Sequence, residues 1–354
     1  MPHGVVPGEV TPPGVAARDA EVRLVVGPRL AWLTLALVAT AAIVVASVAF
    51  GTRVVGLAEI GSAFTGTEDG IAQAAVLKRI PRTILALLVG AALGLAGTVL
   101  QGVTRNPLAD PAILGISPGA ALAVVVGLAF FGVSSPFATI WLAIAGATAS
   151  AVFVYAVGSL GRGGATPLKL ALAGAATSAA FTSMVSAILL PRIDVMQAFR
   201  FWQIGGVGGA SFAKIGLLVP FVLVGGLVCL AAAGGLNSLA LGDDLAAGLG
   251  ERVATTRLFA AAGAVILCGA ATAVAGPIGF VGLVVPHLCR LLVGLDHRWS
   301  LPSAALVGAG LLTAADVLGR VVARPEEVDV GIVTALLGAP VFIAIVRRQK
   351  PRAL

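Results

Sequence analysis

A chain of 354 residues with 11% charged and 58% apolar side chains lies far from soluble composition, where about 25% of residues are charged. The net charge of +7 forms no basic stripe on a soluble module, and a single Tyr offers little for base stacking, so nucleic-acid binding is set aside. The 46 glycines and abundant alanines instead suit close helix–helix contact in lipid.

Residues 1–29 hold five prolines, several glycines and mixed charge, and are expected to form a disordered cytoplasmic tail. A signal peptide is the alternative. The following run, 30–50, has 21 residues without a charge, which is longer than a signal peptide's apolar region, and no small-residue cleavage site clearly ends it. It is read as the first transmembrane helix, since spanning takes roughly 20 apolar residues. A polar stretch follows as far as Arg82, then uncharged runs at 83–104, 111–161, 170–191, 215–242, 258–289, 299–315 and 330–346. The run 111–161 is too long for one span, and Gly132-Val133-Ser134-Ser135-Pro136 divides it; Gly276-Pro277-Ile278-Gly279 divides 258–289. Residues 192–214 read as a polar connection.

An all-α polytopic membrane protein of about ten helices results, with a membrane domain at 30–348, a cytoplasmic segment at about 236–255 and a short tail at 349–354. Ten crossings put both termini on one side, and the loops on that side carry 14 of the 23 Lys and Arg residues. The positive-inside rule therefore predicts cytoplasmic termini.

Gly90-Ala91-Ala92-x-x-x-Ala96-Gly97 recurs as Gly269-Ala270-Ala271-x-x-x-Ala275-Gly276, each followed ten residues later by Pro107 and Pro286. Five crossings apart, the two copies must run in opposite directions, as in an inverted repeat; chance matching in an Ala/Gly-rich chain is the competing explanation. No Gly-x-x-x-x-Gly-Lys-Ser/Thr is present, and Gly205-Gly206-Val207-Gly208-Gly209 does not open a strand–helix unit, so no ATP site of the P-loop kind is expected. No nucleophile–His–acid set appears. Cys229, Cys268 and Cys289 lie far apart in apolar stretches and read as buried free thiols. No metal or cofactor is expected. His287 reads as a helix-end histidine bonded to nearby backbone.

Asp316, inside a span, has Arg320 one helical turn on, which predicts an ion pair rather than an ion pathway. Two loops stand out. Lys78-Arg79-Ile80-Pro81-Arg82 leads into the second helix on the outside. The cytoplasmic stretch Leu241-Gly242-Asp243-Asp244-Leu245-Ala246-Ala247-Gly248-Leu249-Gly250 repeats leucine every four residues, making one apolar face of a short helix. Such a helix lies in the headgroups or docks a soluble partner.

Several stretches resemble the FecCD-type permeases, the membrane subunits of importers for ferric siderophores, haem and vitamin B12. They are Arg79-Ile80-Pro81-Arg82-Thr83 through Gln101, Asn106-Pro107-Leu108-Ala109-Asp110-Pro111 with Leu114-Gly115-Ile116-Ser117-Pro118-Gly119-Ala120, Leu239-Ala240-Leu241-Gly242 with Leu249-Gly250, Gly276 through His287, and Gly331 through Phe342. They occur in family order over about 30–348.

The resemblance implies ten helices with an inverted repeat and a homodimer or paralogous heterodimer. It also implies two cytoplasmic ABC ATPase subunits, an extracytoplasmic substrate-binding protein and a bacterial inner-membrane location. The chain would then be a transport subunit rather than an enzyme, with a ferric siderophore as cargo; haem or vitamin B12 is the alternative within the family, and an ion-driven carrier the alternative outside it. By the same resemblance Leu241, Gly242, Asp243, Asp244, Leu245, Leu249 and Gly250 would couple to the ATPase. Arg79, Arg82 and Arg320 would dock the binding protein. Thr166, Pro167 and Leu168 would form a cytoplasmic gate. The Asn106-Pro107 and Asp110-Pro111 pairs force non-helical backbone before each proline, so a break is expected at the end of the second helix.

Overall fold

The structure is a computed structural model that describes residues 13–51, 71–110, 115–133, 135–160 and 166–348. Within these residues the chain forms thirteen helices: α1 Pro13–Ala49, α2 Ile71–Thr104, α3 Ile116–Phe131, α4 Pro136–Ser159, α5 Pro167–Leu189, α6 Ile193–Ile204, α7 Phe212–Ala231, α8 Ala233–Ala240, α9 Asp243–Gly248, α10 Val253–Ala275, α11 Val281–Val293, α12 His297–Val322 and α13 Val330–Arg348. Seven of them contain stretches long and apolar enough to cross a bilayer, and α3, α11 and α13 supply three shorter apolar segments. Together they are the ten expected membrane helices.

Both expected breaks occur. Gly132 ends α3 in the left-handed conformation, its N–H donating back to the Gly127 carbonyl, and Pro136 opens α4 at a position where no N–H is needed. Gly276 and Phe280, both at positive φ, separate α10 from α11. α2 likewise stops before the predicted proline break: Arg105 turns left-handed, and the Asn106 side chain accepts from the Leu108 N–H at 2.9 Å.

The two repeat copies sit in matching surroundings. α2 and α10 are the most deeply buried membrane helices, and each leads into a short helix, α3 or α11, that starts after a left-handed residue, Gly115 or Phe280. α2 runs through the middle of the bundle against α12, α10 and α11. Its glycines permit this. A Cβ on Gly90 would strike the Gly308 carbonyl, and one on Gly97 would strike the backbone of Gly282. Packing of this kind replaces the hydrophobic drive that is missing between helices in lipid. Around the outside, Leu35, Leu172, Leu227 and Leu336 are all more than half exposed, as a lipid-facing surface requires.

Four expectations on element boundaries differ from the structure. Lys78–Arg82 is not a loop: α2 starts at Ile71, so Arg79 and Arg82 sit on helix, with Pro81 inside it. Their charges are tolerated because partners on neighbouring helices meet them. The connection 192–214 contains α6, whose Val195 and Phe199, four apart, are buried and whose Phe199 ring packs on Trp202 at 5.5 Å. The run 215–242 splits into α7 and α8 at Ala232. α1 begins at Pro13, within the segment that composition marks as a tail.

Candidate functional site: a charged staple at one end and an anchored helix at the other

The end of α1, the first turns of α2 and the last turns of α12 meet in one charged cluster. Asp316, fully buried, receives Arg82 as a fork: Nε lies 3.0 and 3.1 Å from its two oxygens and Nη2 lies 2.8 Å from Oδ1. Arg320 reaches the same carboxylate at 3.0 Å from one turn further along α12, the pair expected from the spacing. Arg82 also holds Glu327, beyond the end of α12, at 2.5 Å.

The remaining donors close α1. Arg320 Nη1 donates to the Ser47 carbonyl at 2.9 Å and Nη2 to Ser47 Oγ at 2.7 Å, while Arg79 Nη1 donates to the carbonyls of Val48 and Ala49 at 2.9 and 3.0 Å. The last carbonyls of a helix have no partner within it, so cations placed there satisfy both the hydrogen bonds and the helix dipole. Ser47 Oγ completes the cluster through Thr83 Oγ1 at 2.7 Å. Two guanidinium groups take both oxygens of Asp316, which makes this intramembrane acid a structural staple rather than an open cation site. Arg79 and Arg320 are buried and Arg82 is 11% exposed at its side chain, so Arg82 and Glu327 carry the part of the cluster nearest solvent. Arg324, Glu326 and Lys78 are exposed around it.

The opposite end carries the predicted coupling segment. It is two short helices, α8 and α9, hinged at Gly242, whose φ of 110° favours glycine. Leu241, Leu245 and Leu249 are 58%, 62% and 69% exposed among the described residues, but the Gly242 break puts Leu241 at the end of α8 and Leu245 and Leu249 in and just after α9, not on the single helix face read from the sequence. The other face is anchored: Ala246 is buried, and Asp243 accepts from Arg105 at 2.7 Å and from Arg257 at 2.8 Å. Asp243 and Asp244 lie in the first turn of α9, and Gly250, at φ 86°, ends the segment. Asp244 is exposed. Behind α8, Asn237 donates to Asp296 at 2.7 Å, and its Oδ1 accepts from the backbone N–H of His297 at 2.8 Å. Burial pushes the Asp296 carboxyl up, but the Arg298 N–H, the Asn237 amide and the charges of Arg29 and Arg298 outweigh it and hold the group below its ordinary range.

Thr166-Pro167-Leu168 forms the start of α5: Thr166 Oγ1 caps the Lys169 N–H, Pro167 takes the first helical position and Leu168 is 69% exposed. His287 differs from its expected backbone contact: its Nδ1 lies 3.0 Å from Arg290 Nη2. The three cysteines are buried and free, as read. Sequence reasoning missed Ser47, Glu327, Arg105 and Arg257. Only the run of acids at Glu326-Glu327 hinted that the cluster had a second carboxylate.

A family profile for the FecCD transport family matches residues 37–348. The ferric enterobactin transport system permease protein FepD of Escherichia coli is 43% identical over 318 residues, which cover 90% of this chain and 94% of that protein. The hemin transport system permease protein HmuU of Yersinia pestis is 39% identical over 291 residues, 81% of this chain and 86% of that protein. Among solved structures, a metal-chelate type ABC transporter in an inward-facing conformation superposes with a TM-score of 0.78 at 28% identity, covering 90% of this chain and 99% of that one. With ten apolar helices in that arrangement and a match over most of its length, this chain belongs to the FecCD transport family.

Proposed function

We propose that the chain is the membrane-spanning permease subunit of an ATP-driven importer for ferric siderophores. It would build the pathway with a second permease subunit, like or paralogous, and take its energy from two separate ATPase subunits. The observation that carries this reading is the α8–α9 segment, fixed by a doubly bonded aspartate, with Leu241, Leu245 and Leu249 exposed along it. A helix anchored on one side and apolar on the other suits docking into a groove of a soluble partner. The cargo follows from relatives whose names specify ferric enterobactin, Fe(3+)-hydroxamate, Fe(3+)-citrate and hemin. In this reading both termini and α9 face the cytoplasm of a bacterial inner membrane. The test is co-purification: Leu245→Asp should release the ATPase subunits while the permease still inserts, and retention of the ATPase by both Leu245→Asp and Leu249→Asp would reject α9 as the coupling element.

At the other end the binding protein would dock over the arginine cluster. Arg79 and Arg320 act there through the end of α1, and Arg82 is the member whose second partner, Glu327, is within reach of exchange. A carboxylate of the binding protein would take the place of Glu327 on Arg82. The Thr166-Pro167-Leu168 turn would line the cytoplasmic mouth; cysteines at 166 and 168 should change reactivity when nucleotide binds the full complex, and equal labelling in every state would remove it from the gate.

A further inference from the structure

The residues that anchor α9 have a second use. Asp243 Oδ1 is shared by Arg105 and Arg257, so two guanidinium charges meet one carboxylate and one positive charge is left over. Arg257 has a side chain only 12% exposed, and its Nε is buried with no hydrogen-bond partner among the described residues. A buried N–H in that state has lost its water and gained nothing in exchange. The same side chain is the charged residue lining a cleft of about 270 Å³ between α2, α4, α5 and α10.

The rest of the cleft is mostly apolar, with Val152, Leu170, Leu258 and Ala261 in its wall, Tyr155 beside them, and the hydroxyls of Thr104 and Thr148 bonded to carbonyls of their own helices. Val152 and Leu258 are 63% and 59% exposed, so the cleft opens on the outside of the bundle, where acyl chains lie, and not into its core. Arg257 stands in the first turns of α10 and Leu170 in those of α5, which sets the charged part of the cleft at the level of the helix ends.

We propose that this cleft binds an anionic phospholipid of the leaflet on the α9 side, its acyl segment against Val152, Leu258 and Ala261 and its phosphodiester oxygens accepting from Arg257. Basic pockets between membrane helices at the headgroup level have the chemistry for such headgroups. The two halves of the cleft select this occupant. A free phosphate would leave the apolar wall uncovered, and a zwitterionic lipid would not neutralise the excess charge. A phosphate there would bridge to Asp243 through Arg257 and so stiffen the seat of α9. That last consequence rests on the coupling role of α9; the binding itself does not.

The test uses the full chain in nanodiscs of phosphatidylcholine with a trace of photoactivatable phosphatidylglycerol. Adducts should map to α4 and α10 near Val152 and Leu258, and unlabelled phosphatidylglycerol should compete them away, whereas added phosphatidylcholine or inorganic phosphate should not. Arg257→Gln should lower labelling about fivefold, the factor expected for one basic residue at a membrane surface. Ala261→Phe fills the cleft one turn along α10 from Arg257 while keeping both members of the Arg257–Asp243 pair, and should lower it as well. Equal labelling by a phosphatidylcholine probe, adducts elsewhere, displacement by inorganic phosphate, or unchanged labelling in both variants would overturn the site. Quantitative disulfide formation between two copies of Val152→Cys would give the face to a second subunit instead. Labelling needs neither ATPase nor cargo, so its failure leaves the transport reading intact and the reverse also holds.

Discussion

Asp316→Asn removes one charge from the middle of the arginine cluster while leaving its shape almost unchanged, so the loss it causes is electrostatic and not a cavity. The carboxylate is fully buried and is held by Arg82, at 2.8 Å, and by Arg320, at 3.0 Å. Removing one partner of a buried ion pair typically costs roughly 3–5 kcal/mol, because the other charge is left uncompensated. Here both arginines keep other acceptors. Arg82 retains Glu327, and Arg320 retains the carbonyls of Ser47 and Phe50 and the Ser47 hydroxyl. The expected loss is therefore at the lower end, about 3 kcal/mol, which is roughly a hundredfold in the folded-to-unfolded ratio. Reversible unfolding in nanodiscs, read by steric trapping, measures it directly. A double-mutant cycle of Asp316→Asn with Arg320→Gln should give a coupling of about 1–3 kcal/mol, since the two side chains are in direct contact. A loss below about 0.5 kcal/mol, the size of an ordinary surface change, would refute the staple.

Gly97→Val should destabilise the bundle by roughly 1–3 kcal/mol, the usual cost of overpacking, because its side chain meets the Gly282 backbone; thermal unfolding in detergent reads the loss. Leu245→Asp should weaken ATPase co-purification by about 2 kcal/mol, the cost of losing an interface anchor, with membrane insertion retained. Glu327→Gln should tighten binding-protein docking, more at low salt than at high, since it removes the carboxylate that competes for Arg82; unchanged affinity at low salt would remove Arg82 from the docking surface. Maleimide should leave Cys229, Cys268 and Cys289 largely unmodified in the folded protein, because all three thiols are buried; mass spectrometry checks this.

Much of this architecture was legible in the chain. Runs of uncharged residues gave the membrane helices, and the Gly132–Pro136 and Gly276–Gly279 breaks were visible because glycine and proline are the residues that stop helices. The leucine spacing exposed the apolar surface of the α8–α9 segment though not its break at Gly242, and the i,i+4 spacing exposed the Asp316–Arg320 pair. What stayed hidden was tertiary. Lys78–Arg82 looked like a loop because charge is unfavourable in a span, and only the positions of Asp316 and the end of α1 make Arg79 and Arg82 compatible with α2. α6 was overlooked because its polar residues mask a buried pair, Val195 and Phe199, too short to register as a periodic run. Likewise, Asp243 gave no sign of its partners, since Arg105 and Arg257 lie 138 and 14 residues away along the chain.

Uptake of an iron-55-labelled ferric siderophore into proteoliposomes separates the transport mechanisms, with this chain reconstituted beside the proposed ATPase subunits and the binding protein supplied outside. An ATP-driven importer should show uptake that requires ATP at the α9 face, survives collapse of proton and sodium gradients, and is lost with Leu245→Asp. Uptake driven by an ion gradient without ATP, or ATP-driven uptake unaffected by Leu245→Asp and Leu249→Asp together, would contradict it.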